Sequence, residues 1–152
     1  MKRRQTSQWL IADERLGERL WSVVRKLPPG SGVIVLFREL PQRERQNILR
    51  RLRSTGKRPR IVDEASGRVA RVHNLTQLRQ VLLARTPLIL LSPIYPTASH
   101  PGWNPLPRMR AAAFARLAHR KLIALGGMDA KRFSRIERLG FPAWAGIDAF
   151  RT

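Results

Sequence analysis

Leu122-Ile123-Ala124-Leu125-Gly126-Gly127-Met128-Asp129 reads as a strand, a glycine turn and a helix cap in one short run. Residues 122–125 are apolar throughout, as in a strand covered on both faces. The glycine pair closes that strand, and Asp129 suits the N-cap of a helix over 130–139. Residues 144–147 (WAGI) form the next strand, so the order is strand, helix, strand. Working back, residues 109–119 form an alanine-rich helix. Before it, residues 88–91 (LILL) are a buried strand that runs into a proline-rich loop over 93–107.

The first half of the chain repeats the alternation. Residues 9–13 (WLIAD) are a strand ending in an acid. Residues 14–27 carry Leu16, Leu20, Val23, Val24 and Leu27 at helical spacing, and Pro28-Pro29-Gly30 stops the helix. Residues 32–37 (GVIVLF) form a buried strand. Pro41 opens a helix over 43–53 whose inner face is Ile48, Leu49 and Leu52. Residues 60–63 and 69–72 are short strands around a turn at 64–68, and 75–84 is a helix. Strands alternating with helices through short connections predict a single α/β domain over 1–152 with parallel pairing. Ligands of such sheets gather at the carboxyl ends of the strands. The residues there are Asp13, Arg38, the loop 94–100, Gly126-Gly127 and Asp148.

Of the 152 residues, 43% are hydrophobic and 26% charged, enough apolar content for a core. The absence of cysteine excludes disulfides, thiolate catalysis and cysteine-held zinc. No apolar run is long enough for a membrane span. The basic start Met1-Lys2-Arg3-Arg4 leads into polar residues, not a signal-peptide core, so a cytoplasmic location is expected. Thirty Lys and Arg against 10 Asp and Glu give a net charge of +20, which predicts an anionic partner or solvated basic helix faces. A phosphorylated small molecule is the first such partner. Nucleic acid is a second, suggested by the arginines from Arg43 to Arg60, although no aromatic residues interleave with them as stacking on single strands requires.

Three segments carry a family resemblance. Ser92-Pro93-Ile94-Tyr95-Pro96-Thr97-Ala98-Ser99-His100 resembles the loop after the sixth strand of thiamine phosphate synthases, with its Tyr/Phe-Pro-Thr-x-Thr-Lys pattern. Ile123-Ala124-Leu125-Gly126-Gly127-Met128 is similar to that family's Ala-Ile-Gly-Gly-Ile. Trp9-Leu10-Ile11-Ala12-Asp13 looks like its opening strand, and Arg38-Glu39 like the start of its Arg-Glu-Lys motif. The resemblance implies a TIM-type (β/α) barrel. A complete one needs roughly 250 residues, so a truncated or incomplete barrel with about seven strands is expected.

The resemblance also implies a reaction. A thiazole phosphate attacks a pyrimidine-methyl pyrophosphate, pyrophosphate departs with the help of Mg2+, and thiamine phosphate forms. Carried over, Arg38, Thr97, Ser99 and His100 would serve catalysis, with Arg38 on the pyrophosphate. Gly126, Gly127, Ile147 and Asp148 would border the substrate phosphate, and Asp63 would hold the metal. Glycines let a backbone approach phosphate closely.

The sequence departs from the pattern at several of these places. Leu36 and Leu40 stand where the family has glutamine and lysine, His100 where it has lysine, and Asp148 where it has a small hydroxyl residue. The fourth strand, with its metal carboxylate, and the eighth helix have no counterpart. The turn 64–68 is also shorter than the dozen or so residues of an ordinary parallel crossover. The two strands around it are therefore expected to form a hairpin, or one of them to leave the sheet. Edges exposed by the deletion would favour a homo-oligomer. The alternative to the synthase is a catalytically degenerate relative that binds a phosphorylated ligand.

Overall fold

The computed structural model describes residues 5–151; the basic start Met1–Arg4 and Thr152 lie outside the described residues. Seven strands make one sheet: β1 (Gln8–Ala12), β2 (Gly32–Val35), β3 (Arg60–Asp63), β4 (Val69–Val72), β5 (Leu88–Leu91), β6 (Leu122–Ala124) and β7 (Ala143–Gly146). Their order is β3-β2-β1-β7-β6-β5-β4, and every neighbouring pair is parallel. Five helices cover the outside: α1 (Arg19–Lys26), α2 (Gln42–Arg53), α3 (Leu75–Leu83), α4 (Arg108–Leu117) and α5 (Ala130–Ile136). The sheet is curled into an incomplete TIM-type barrel, as expected.

Alternation along the strands sorts the core. Trp9, Ile11, Ile34, Val62, Val69, Leu90, Ile123 and Ala145 point inward and pack as one cluster inside the barrel. The alternate residues Leu10, Val33 and Val35 pack outward with Leu20, Val24, Leu49 and Leu52 of α1 and α2. On the other half, Ile89, Leu91 and Trp144 pack with Leu78, Phe114 and Ile136. This period of two explains why the buried strands read as continuous apolar runs: both faces are covered. Trp9 lies inside beside Gly32, where any β-carbon would overlap its ring.

The expected hairpin is not there. β3 and β4 are both in the sheet and parallel, at its opposite edges, with no ladder between them. Residues 64–68 can extend over about 17 Å, and a four-residue strand is about 13 Å long. Only part of that reach is used, because the connection is folded into a turn. The dozen-residue minimum holds for adjacent strands with a helix packed between them, which these are not. The connection is a 3-10 turn over Glu64–Ser66 closed by Gly67. Across this seam Arg71 of β4 approaches Glu64 at 4.0 Å.

Some boundaries also move. α1 begins at Arg19 because the chain turns at Gly17, where φ is +50°. α5 gives way to a 3-10 turn at Glu137–Leu139.

Candidate functional site

A cavity of about 430 Å³ opens at the carboxyl end of the strands. Its walls come from beyond β1 (Arg15), from β4 and its exit (Arg71, His73), and from the loop after β5, including Thr97, Ser99, His100 and Trp103. Gly126, Gly127 and Arg132 after β6, and Ile147 and Asp148 after β7, complete it. Parallel pairing puts all of these connections at one end.

Seven of the residues expected from sequence line this cavity: Thr97, Ser99, His100, Gly126, Gly127, Ile147 and Asp148. Arg38 and Asp63 do not. Arg38 extends to Glu64, donating from Nε at 2.9 Å and Nη2 at 2.5 Å. That hydrogen bond and the Glu64 charge hold its guanidinium more firmly protonated than usual. Asp63 caps the 3-10 turn by accepting from the Ala65 N–H at 3.1 Å, and its other oxygen lies 3.8 Å from Arg45 Nε.

The cavity holds cations that the sequence reading did not single out. Arg15 forms a salt bridge with buried Asp13 at 2.7 Å and donates to the Ser99 hydroxyl. Arg71 sits on the strand face shared with inward-pointing Val69, so its side chain enters the barrel mouth. Burial lowers its pKa from the usual value; the charges of Arg38 and Arg15 add to this, against the opposing pull of Glu64. Arg71 is therefore a half-buried cation short of negative charge. Its signal in the sequence was a cation at an inward position of a strand, Val69-Ala70-Arg71-Val72. Arg15 and Arg132 had no such mark among so many arginines.

His73 and Trp103 also belong to the site. His73 Nδ1 lies 2.9 Å from the Ser92 carbonyl. A carbonyl can only accept, so Nδ1 carries a proton and donates to it. The Trp103 ring stacks on His100 at 4.3 Å and meets His73 edge-on at 5.0 Å. Trp103 thus fixes both imidazoles at one wall.

The glycine pair is required by packing. A β-carbon on Gly126 would lie 2.9 Å from Pro93 Cα, and one on Gly127 would overlap the Pro96 carbonyl oxygen. The Ile94 and Tyr95 N–H groups donate to the Leu125 and Gly126 carbonyls at 3.0 and 3.1 Å. Strand β6 and the loop after β5 are thereby clamped together, which seats Thr97 and Ser99 over the cavity. Two acids share this wall. Asp129 caps α5 by accepting from the Arg132 N–H at 2.7 Å, and Asp148 pairs with Arg151 at 3.0 Å.

The carboxylates near the cavity are largely engaged elsewhere. Magnesium is ordinarily held by one or two carboxylates together with waters and substrate phosphates in near-octahedral array. Here Asp13, Glu64 and Asp148 are each paired with arginine, and Asp63 is committed to its turn and Arg45. Among the described residues no three His, Asp or Glu side chains converge.

No protein-family model matches the chain, and a comparison with curated proteins finds no relative. The likeness to thiamine phosphate synthases therefore rests on the motifs quoted above. Among the described residues no helix is long and apolar enough to cross a membrane.

Proposed function

We propose that the carboxyl end of this barrel binds a phosphorylated small molecule of the thiazole phosphate or thiamine phosphate kind. The observation that carries this reading is Arg71, a half-buried guanidinium in the cavity whose nearest carboxylate is 4.0 Å away and shared with Arg38. A bound phosphate would supply the charge that Arg71 lacks, with Arg15, already paired with Asp13, beside it. Charge-assisted hydrogen bonds from guanidinium to phosphate are among the strong ones. Ser99 and Thr97 offer hydroxyls to the same group, and the aromatic wall of His73, His100 and Trp103 offers a flat face to a heterocycle.

The second reading is the coupling reaction itself. It is favoured by cations on two sides of one cavity, Arg15 and Arg71 on one and Arg132, which donates to the Gly127 carbonyl, on the other. In this reading Arg15 and Arg71 neutralise the departing pyrophosphate, which is electrostatic stabilisation where charge develops. A single-turnover assay with pyrimidine pyrophosphate and thiazole phosphate separates the two. Thiamine phosphate formation supports the synthase; ligand-induced stabilisation without product supports the binding protein. Neither stabilisation nor product at millimolar ligand defeats both.

A further inference from the structure

The +20 charge is not spread evenly. Every acidic residue except Glu137 lies in a strand-to-helix connection, at the end of β3, or at the start of a helix, which in an all-parallel sheet is the carboxyl end. The helix ends and helix-to-strand connections gather at the other end, the amino face. There the chain is basic. Arg25 and Lys26 end α1, Arg50, Arg51 and Arg53 end α2, and Arg116 ends α4. The connections add Lys57 and Arg58, then Arg85, then His119, Arg120 and Lys121, all exposed. The five ion pairs found among the described residues engage Arg15, Arg38, Arg45, Arg71 and Arg151, none of this amino-face set.

A second observation concerns the backbone. Arg58, Arg85, His119 and Arg120 have φ of +43°, +56°, +45° and +66°. Arg85 and His119 fall one residue past a helix cap, where glycine is the ordinary choice. In the left-handed region a β-carbon is strained. Cations near a helix end can complement its dipole from the last turn without that strain. Here the chain keeps positive side chains at positions where glycine would be easier. Beside two of these cations runs a groove of about 470 Å³, lined by Pro28, Gly30, Ser31, Lys57, Arg58 and Arg60.

We propose that this amino face binds the phosphate backbone of double-helical nucleic acid, independently of the cavity at the opposite end. Guanidinium forks match phosphate geometry. The face extends over the ends of several helices, as contacts along a duplex require. Among the described residues this face shows no exposed aromatic platform for single strands: Trp21 is half-buried, with Arg51 over its ring at 3.8 Å. The exposed apolar groups nearby, Leu83 and Leu117, stand singly and would anchor a membrane poorly. Backbone contacts of this type are independent of sequence and steeply dependent on salt.

The test is fluorescence anisotropy of a labelled duplex against the full chain over a salt series. It is run beside the triple variant Arg58→Gly, Arg85→Gly, Arg120→Gly. Glycine suits the left-handed backbone, so the variant's melting temperature should be equal or higher. Its duplex affinity should fall at least tenfold, and its log–log salt slope should flatten by about 3. A charge-matched variant at the helix starts of the other face, Arg19→Gln, Arg43→Gln, Arg110→Gln, all exposed and outside the cavity, should bind duplex as the parent does. Unchanged affinity in the glycine variant, equal loss in the charge-matched variant, or binding to vesicles of anionic phospholipid but not to duplex would each overturn the proposal.

Discussion

Replacing Gly127 by alanine probes the joint on which the cavity depends. Gly127 has φ of +59°, and its missing β-carbon leaves the space taken by the Pro96 carbonyl oxygen. An alanine there incurs about 1–2 kcal/mol of left-handed backbone strain. Displacing a packed backbone carbonyl adds about 1–3 kcal/mol, for a total of about 2–5 kcal/mol. Gly30 is the control: φ is +81°, and nothing lies within 4 Å of its would-be β-carbon. Gly30→Ala should therefore lose only the backbone part, about 1–2 kcal/mol. At this chain length 1 kcal/mol moves Tm by about 2–4 °C, so Gly127→Ala should melt roughly 6 °C below Gly30→Ala. Thermal unfolding followed by circular dichroism gives both numbers. Gly127→Ala should also weaken phosphate-ligand binding, because the loop it displaces carries Thr97 and Ser99. Equal melting of the two variants would show that the 93–96 loop does not rest on the glycine pair.

Other expectations follow from the packing and the charges. Trp9→Ala empties the barrel interior where Trp9 is 1% exposed; urea unfolding should show a loss of about 3–5 kcal/mol. Arg71→Met removes a cation that the folded state disfavours. Because burial and like charges lower its folded pKa, the charged form is relatively better off unfolded, and the ligand-free variant should melt at or above the parent. Arg38→Gln breaks an exposed ion pair with Glu64, worth about 0–1 kcal/mol by urea titration. It should also leave Glu64 to Arg71 and so reduce the affinity for phosphate.

Several strands were legible: the continuous apolar run 88–91 matches β5 fully, and the short mixed stretches 60–63 and 69–72 match β3 and β4. The seam between β3 and β4 was not. The dozen-residue minimum holds for adjacent strands, whereas β3 and β4 sit at opposite edges, and pairing is a tertiary choice that local sequence does not state. The cavity was half legible. Thr97, Ser99 and the glycine pair sit in distinctive turn-rich motifs, whereas Arg15 and Arg132 were hidden among 30 basic residues. Arg71 was available to strand alternation: it shares the inward face of Val69. Arg38 and Asp63 occupy strand ends as expected, but the side chains turn to Glu64 and to the local turn. Their partners, Glu64 for Arg38 and Arg45 with the Ala65 N–H for Asp63, are brought together only by the folded chain.

Isothermal titration of thiazole phosphate into the full chain and into Arg71→Met tests the central claim most directly. The account predicts saturable one-site binding to the parent. Loss of one charge-assisted contact, about 1.5–3 kcal/mol, should weaken the variant by roughly 10- to 150-fold. Absent heat at millimolar ligand, or equal affinity in the two proteins, would contradict it.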